Sequence, residues 1–370
     1  MKLMFVANKL WDVYIFRGGV IKKLVQDGHE VIILAPEDGR IDVEKELGAK
    51  VIDIKVDKRG VNPVKDLEMM MILSKIYKRE KPDLIFHYTI KLNIFGTLAA
   101  KIAGIKSIAV LTGLGYSFVN SGLISKIAKF LYKISLKYAE EVWVLNSDDK
   151  EILISENIIK GEKIFILPGE GIDTNIFKPS EKIRKDEKKV FLMISRAIFD
   201  KGVAEYVASA GLAKKKYGDR VEFQFLGALA EDKKDGFVQE DMDHIVNSGA
   251  INYLGITNDV PSIVKEADCI VLPSYREGIS RVLLEAASME KVTIATDVTG
   301  CKEIINNDKT GFLVRPKDTN SLLENIDKFM SLSDEEIERF GKLAREKVVS
   351  EFEEKIVLDI YREKVKKYGA

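Results

Sequence analysis

One segment of the chain combines acidic residues with the start of a helix in a way that suits a phosphorylated sugar. Residues 270–303 read IVLPSYREGISRVLLEAASMEKVTIATDVTGCKE. An apolar strand ends at Pro273, a loop carries Glu277 and Gly278, and a helical pattern begins near Ser280. A phosphate would bind at this helix start, because the first N–H groups of a helix lack partners within it and lie at the positive end of its dipole.

Two glutamates in this segment, Glu277 and Glu285, stand a little over two helical turns apart. At that spacing both carboxylates can face the same ligand, one on a sugar and one on a second group rich in hydroxyls. The alternative is a glutamate at a helix N-terminus followed by an unrelated surface glutamate. Spacing alone does not separate these two interpretations.

A second segment, residues 190–202, places two cations after a strand. It reads VFLMISRAIFDKG, so Arg196 and Lys201 follow the apolar run closely. Arginine offers a planar fork of donors and lysine a point charge, and together they suit a diphosphate. The alternative is an ordinary solvated turn.

The elements that must position these residues alternate regularly along the chain. Apolar runs of four to six residues are separated by longer amphipathic stretches, which is typical of buried parallel strands joined by helices. The alternation occurs twice, so we expect an α/β protein with two doubly wound, Rossmann-like domains facing a deep cleft. The expected boundaries are 1–170 and 171–350, with a helix at 351–370 that crosses back to the first domain.

Composition excludes several other classes of protein. The chain has 370 residues, 58 basic and 58 acidic side chains, three histidines and two cysteines. A net charge of zero does not favour nucleic acid, and so few histidines and cysteines predict neither a metal site nor a disulfide framework. No apolar run approaches the ~18 residues of a membrane span. We therefore expect a cytoplasmic protein that at most rests on a membrane surface.

A basic amphipathic helix is a candidate for such a surface contact. Residues 123–138 read LISKIAKFLYKISLKY, with one stripe of lysines and an adjacent apolar stripe. A helix of this kind lies on anionic lipid. The alternative is a helix that packs on the core and exposes its lysines to solvent. The lysines are Lys126, Lys129, Lys133 and Lys137, and the apolar residues are Ile124, Ile127, Leu131, Ile134 and Tyr138.

Two further motifs are weaker. Gly169-Glu170-Gly171 lacks the third glycine of a dinucleotide-binding fingerprint. Asp241-Met242-Asp243 has the D-x-D form of metal-dependent transferases, but its polar surroundings favour a helix start.

Taken in order, these segments resemble the glycosyltransferases of family 4. The resemblance extends to FRGGVIKKLVQDGHEVIILAPED, TIKLNIFGTLAAKIAG, TGLGYSF and LPGEGIDTNIFKP, and so covers most of the chain. It implies the GT-B fold, with an acceptor-binding first domain and a nucleotide-sugar-binding second domain. It also implies sugar transfer from a nucleotide donor with retention of configuration and without a metal ion or other cofactor.

The resemblance implies roles for individual residues on the donor side. Arg196 and Lys201 would neutralise the donor diphosphate, with Glu277 contacting the reacting sugar, and these three would be the catalytic residues. Glu285 would hold the ribose hydroxyls. The backbone of Gly278, Ile279 and Ser280 would contact sugar and phosphate.

In the first domain, Gly18 and Gly19 match a glycine turn after the first strand, near the donor phosphates and the acceptor. Arg17 beside them is an acceptor-side candidate. Thr112 replaces a histidine that contacts the donor sugar in many members, so a histidine-assisted mechanism is not expected.

The TGLGY form of the motif resembles the subgroup that acts on lipid-linked glycans. The expected donor is a UDP-sugar, an N-acetylhexosamine with N-acetylgalactosamine favoured. The expected acceptor is a polyprenyl-diphosphate-linked saccharide, reached from the cytoplasmic face of the inner membrane in bacterial glycan assembly. Two alternatives remain open, a UDP-N-acetylhexosamine 2-epimerase on the same fold and a non-catalytic nucleotide-sugar-binding protein. The scarcity of histidine argues against the first, and the intact Arg, Lys and Glu set argues against the second.

Overall fold

The structure, a computed structural model, describes residues 1–37, 39, 41–55, 62–114, 122–181 and 187–369. The chain divides into two compact units. Unit 1 contains Met1–Gly171 and Glu354–Ala370, and unit 2 contains Ile172–Glu353. The chain therefore leaves unit 1 after Gly171 and returns to it at Glu354.

In its described part, unit 1 is built on a parallel sheet of seven strands in the order β3-β2-β1-β4-β5-β6-β7. Its strands are apolar on both faces, as residues buried under helices on each side must be. The strands are β1 Lys2–Val6, β2 Glu30–Leu34, β3 Lys50–Ile52, β4 Leu84–Tyr88, β5 Lys106–Leu111, β6 Glu141–Val144 and β7 Ile164–Ile166.

Helices connect these strands, and most begin or end at a residue suited to that role. Asn62 caps one helix start with its side chain, and Gly104 ends another in the left-handed conformation. The helices are α1 Leu10–Gln26, α2 Val43–Leu47, α3 Pro63–Glu80, α4 Thr97–Ala103, preceded by a π-helical turn at Leu92–Gly96, α5 Leu123–Ser135 and α6 Ser147–Ser155.

Unit 2 has a parallel sheet of six strands in the order β10-β9-β8-β11-β12-β13, counted over the residues described. The strands are β8 Lys189–Ile194, β9 Val221–Leu226, β10 Asn252–Tyr253, β11 Cys269–Leu272, β12 Val292–Thr296 and β13 Gly311–Val314. The helices are α7 Val203–Tyr217, α8 Gln239–Asn247, α9 Val260–Glu266, α10 Arg281–Ser288, α11 Thr319–Met330 and α12 Asp334–Glu351.

The last helix, α13 Glu354–Tyr368, packs in unit 1. The C-terminal end of α13 is held by one carboxylate, that of Glu141 at the start of β6. Glu141 accepts hydrogen bonds from Lys364 at 3.2 Å, Lys367 at 2.8 Å and the Tyr368 hydroxyl at 2.7 Å. Burial alone would raise the pKa of Glu141, but these donors outweigh it and lower the pKa to about 2.

The order of strands gives each sheet a switch point, between β1 and β4 in unit 1 and between β8 and β11 in unit 2. Ligands of doubly wound sheets bind beyond the carboxyl ends of the strands at such points. The two doubly wound domains predicted from the sequence are confirmed.

Candidate active site

Two loops meet at the switch point of unit 2, one after β8 and one after β11. The Tyr275 amide donates to the Asp200 carbonyl at 2.8 Å. Gly202 has a φ of +73°, and a Cβ there would collide with the Pro273 carbonyl. Only glycine allows the two backbones to lie this close, so Gly202 brings the predicted cationic segment against the predicted acidic one.

The close approach joins Lys201 to Glu277. The Lys201 ammonium lies 2.5 Å from Glu277 Oε1, and the Ser274 hydroxyl donates to the same oxygen at 2.6 Å. The side chains of Lys201 and Glu277 are only 21% and 13% exposed. The cation and the carboxylate predicted separately are therefore one mostly buried ion pair, and Ser274 is a third member that the sequence did not indicate.

Arg196, the other predicted cation, is placed differently. It follows β8 and is exposed to solvent. Its guanidinium makes no ion pair with any residue in the described ranges, although its backbone carbonyl accepts from the Ser195 hydroxyl and the Ile198 amide. Its donors are thus available to an anionic ligand at the end of β8.

The turn after β12 supports the loop that carries Glu277. The Glu277 amide donates to the Thr299 carbonyl at 3.1 Å, and the Ser280 amide donates to the Gly300 carbonyl at 2.9 Å. Gly300 has a φ of +85°, and a Cβ there would lie 2.6 Å from the Glu277 backbone carbon. Gly300 of the TGCKE motif is therefore required by packing beneath the acidic loop.

Helix α10 begins where the sequence predicted. Ser280 is its N-cap and accepts from the Leu283 amide, while Gly278 and Ile279 lie in the bend before it. The positive end of the helix dipole therefore lies three residues after Glu277, in the position expected for a phosphate site.

Glu285 lies within α10 and is buried, which contradicts the surface alternative. Its Oε1 accepts from Arg281 Nε at 2.8 Å, one helical turn earlier. Burial raises the pKa of Glu285, and the Arg281 guanidinium opposes that rise. Arg281 was missed because an i, i+4 pair on a helix is common and carries no specific signal.

Arg17 lies at the switch point of unit 1. It pairs with Glu170, which follows β7, and its guanidinium carbon lies 3.8 Å from the centre of the Tyr88 ring. The Tyr88 hydroxyl is 2.6 Å from that of Tyr361 on α13. Arg17, predicted as an acceptor-side residue, is buried among these groups.

Gly18 and Gly19 do not form a turn, and this prediction was wrong. Both lie in the interior of α1. A Cβ on Gly19 would meet the carboxylate end of the Glu354 side chain, and a Cβ on Gly18 would make ordinary contacts with Leu47. Thr112 follows β5 and is half-buried, next to residues outside the described ranges.

His87 is not accessible to a ligand. It is fully buried in β4, with Nε2 3.0 Å from the Tyr77 hydroxyl, and burial lowers its pKa to about 3. His87 is therefore neutral at physiological pH.

Helix α5 is amphipathic in a different way from that predicted. Tyr132 and Leu136 are buried in the core of unit 1, while Leu131 and Ile134 are half-buried. The exposed apolar side chains include Phe130, at 63%, which the predicted stripe omitted. The side chain of Ile124 lies outside what is described.

The lysines of α5 also differ from one another. Lys126 and Lys133 on α5 and Lys137 in the helical turn after it are exposed, whereas Lys129 lies 2.8 Å from Glu156, the residue that follows α6. The predicted stripe of four lysines is therefore three exposed lysines and one that is paired with an acid.

Over the described ranges, no three His, Cys, Asp or Glu side chains come together as a metal site. Asp241 caps the start of α8 by accepting from the Val238 amide at 3.1 Å, which confirms the helix-start interpretation of the D-x-D motif. Among the helices described, none is long and apolar enough to cross a membrane.

Comparison with known proteins matches both halves of the chain to transferase families. Residues 2–146 match the family described as glycosyl transferase 4-like, and residues 175–347 match glycosyl transferases group 1.

A similar curated protein is the N,N'-diacetylbacillosaminyl-diphospho-undecaprenol alpha-1,3-N-acetylgalactosaminyltransferase of Campylobacter jejuni. It is 31% identical over 353 residues, which is 91% of each chain. The UDP-Gal:alpha-D-GlcNAc-diphosphoundecaprenol alpha-1,3-galactosyltransferase of Escherichia coli is 27% identical, over 80% of this chain and 78% of its own.

Solved structures share the fold over nearly the whole length. Anabaena HepE in complex with UDP-glucose gives a TM-score of 0.82 at 19% identity, covering 99% of this chain and 100% of that one. A glycosyltransferase from Rickettsia africae gives 0.80 at 21% identity, covering 99% and 98%.

Proposed function

The chain belongs to the group 1, family 4-like glycosyltransferases, and from this we propose that it transfers a sugar from a UDP-sugar to a polyprenyl-diphosphate-linked saccharide. UDP-N-acetylgalactosamine is the favoured donor, because the relative that matches 91% of the chain is named for N-acetylgalactosamine transfer to an undecaprenyl-linked sugar. The observation that carries the proposal is the cluster of Lys201, Glu277 and the α10 N-terminus at the switch point of unit 2.

In the proposed reaction, the bond between the anomeric carbon and the UDP β-phosphate breaks and a bond to the acceptor hydroxyl oxygen forms on the same face. The acceptor proton passes to the leaving phosphate. Arg196, Lys201 and the α10 N-terminus stabilise the growing negative charge on the diphosphate. These interactions strengthen as the bond breaks, so they lower the barrier rather than only binding the donor.

The remaining donor contacts follow from the same placement. Glu277 orients the reacting sugar, and the backbone of residues 278–280 contacts sugar and phosphate. Glu285 accepts from the ribose hydroxyls, and Thr112 belongs to the donor-binding set, in place of a histidine that contacts the donor sugar in many members. The reaction proceeds without a metal ion.

The proposal is tested by incubating the protein with UDP-sugars and a panel of polyprenyl-diphosphate sugars and identifying the products by mass. A product heavier by one N-acetylhexosamine is expected. Conversion of the UDP-sugar in the absence of acceptor would instead indicate the epimerase, which the comparisons do not support. Tight binding of UDP without turnover on any acceptor would indicate a binding protein.

We further propose that unit 1 contacts the membrane through α5 and the helical turn at Leu136–Tyr138, which keeps the enzyme near its lipid-linked acceptor. The support is the exposed set of Lys126, Lys133 and Lys137 around Ile127 and Phe130. Each lysine near an anionic surface contributes about 1 kcal/mol, falling with salt, and an exposed aromatic ring adds apolar burial.

Co-sedimentation with anionic vesicles tests this contact. Reversal of the three exposed lysines to Glu should abolish binding at low salt and raise the KM for the acceptor, with UDP affinity unchanged. Phe130→Ser should weaken binding at every salt concentration. Wild-type protein that stays in the supernatant at low salt would contradict the proposal. The control reverses three exposed lysines of other helices in unit 1, Lys22, Lys23 and Lys78.

A further inference from the structure

The two oxygens of the Glu277 carboxylate have different surroundings. Oε1 accepts from Lys201 at 2.5 Å and from the Ser274 hydroxyl at 2.6 Å. A carboxylate oxygen has about two acceptor sites, so these donors fill Oε1. Among the described residues no side chain donates to Oε2, although the Glu277 side chain retains 13% of its exposure.

Ser274 is held rigidly in the position from which it donates. It is fully buried, and its carbonyl accepts from the Thr296 hydroxyl at the end of the neighbouring strand β12. The preceding residue, Pro273, is in close contact with Gly202. These contacts hold the Ser274 backbone beside Glu277, so the hydroxyl donates from a fixed site and favours one orientation of that carboxylate.

We propose that Ser274 is a positioning residue that, together with Lys201, fixes Glu277 so that Oε2 is the oxygen presented to a hydroxyl of the donor sugar. The inference rests on the proposed function and adds to it the residue that selects the working oxygen. Ser274 acts through Glu277, so its removal should affect the sugar part of the donor and leave the UDP part alone.

The experiment compares the affinities for UDP and for UDP-N-acetylgalactosamine by calorimetry, together with kcat for transfer. Ser274→Ala should weaken UDP-N-acetylgalactosamine binding and lower kcat, by about 10- to 100-fold in kcat, because a hydrogen bond to a charged group is lost. UDP affinity should change less than about twofold. Ser274→Cys, which fills the site with a weaker donor, should change the same quantities in the same direction but less.

The loss of kcat caused by Ser274→Ala should disappear when the Glu277 carboxylate is absent. In a Glu277→Gln background, Ser274→Ala should change kcat by less than about twofold, whereas a merely structural residue would act independently. Ser209→Ala is the matched control, since Ser209 is also fully buried and donates to a backbone carbonyl, that of Thr319, in the same unit. It should lower the Tm without lowering kcat.

Three results would overturn the inference while the proposed function stands. In the first, Ser274→Ala weakens the binding of UDP as much as that of the UDP-sugar. In the second, Ser274→Ala leaves kcat unchanged. In the third, Ser274→Ala lowers kcat by the same factor in the Glu277→Gln background as in the wild type. A wild-type protein that binds no UDP-sugar would overturn the proposed function, and with it the role of Ser274.

Discussion

Removal of Lys201 should cost more than removal of Arg196, although both cations were assigned to the same diphosphate. Arg196 is exposed and its guanidinium has no ion-pair partner within the described ranges. Lys201 is paired at 2.5 Å with Glu277 in a mostly buried site. Arg196→Ala therefore removes one interaction with the ligand, whereas Lys201→Ala also leaves the Glu277 carboxylate without its counter-charge.

The magnitudes follow from these surroundings. Loss of one hydrogen bond to a charged group costs about 2 kcal/mol in transition-state free energy. A surface ion pair contributes ~0–1 kcal/mol, and breaking a buried pair costs ~3–5 kcal/mol. With exposures of 21% and 13%, the Lys201–Glu277 pair falls between these limits, at about 2 kcal/mol. Lys201→Ala should thus lose about 4 kcal/mol in kcat/KM, roughly a thousandfold, and Arg196→Ala about thirtyfold.

A double-mutant cycle on kcat/KM separates the two contributions. Lys201→Ala and Glu277→Gln should be non-additive by about 1–3 kcal/mol, because each single change already breaks the pair. Arg196→Ala with Glu277→Gln is the matched control and should be additive within about 0.5 kcal/mol. Additivity of the Lys201 cycle, or a larger loss in Arg196→Ala than in Lys201→Ala, would refute the reasoning.

Four further outcomes are expected. Glu285→Gln should weaken UDP binding, measured by calorimetry, with kcat at saturating donor nearly unchanged; normal UDP affinity would remove its ribose role. Gly202→Ala should lower both Tm and activity, because a side chain there meets the Pro273 carbonyl, and a variant like wild type would show that the loops need not lie so close. Activity should survive EDTA, and a loss restored by Mg²⁺ or Mn²⁺ would contradict a metal-independent mechanism. The pKa of Glu141 is lowered from 4.5 to about 2, so the Glu141 carboxylate should stabilise the fold above about pH 4.5 and lose this contribution as the pH falls toward 2. Glu141→Gln should therefore reduce the loss of stability of unit 1 between pH 4.5 and 2, measured by denaturation at each pH. The same pH dependence in the variant as in the wild type would contradict this role of Glu141.

Periodicity was a reliable guide to the fold. Runs such as residues 31–34 and 269–272 are apolar throughout, and they became strands buried on both faces. A strand of this kind needs a helix on each side, and the alternating pattern supplied them. The glycine turn predicted at Gly18 and Gly19 was wrong because glycine favours turns locally but is also tolerated inside a helix, and both residues lie within α1.

By itself, the sequence determined which residue types follow which strands, and with them the candidate cations, carboxylates and helix start of the donor site. These are local properties, since the end of a strand and the cap of a helix are set by neighbouring residues. The sequence could not show that Glu285 is buried against Arg281, or that Arg17 is enclosed by Glu170 and Tyr88.

Only the tertiary structure decided which groups act on one another. Lys201 and Glu277 are 76 residues apart in the chain, and they meet because β8 and β11 are neighbours across the switch point and Gly202 lets their loops touch. The site around Glu277 is held by three separate segments, which are the loops after β8 and β11 and the end of β12 with the turn that follows it. Their contacts arise from packing, and no pattern in a single stretch of sequence encodes them.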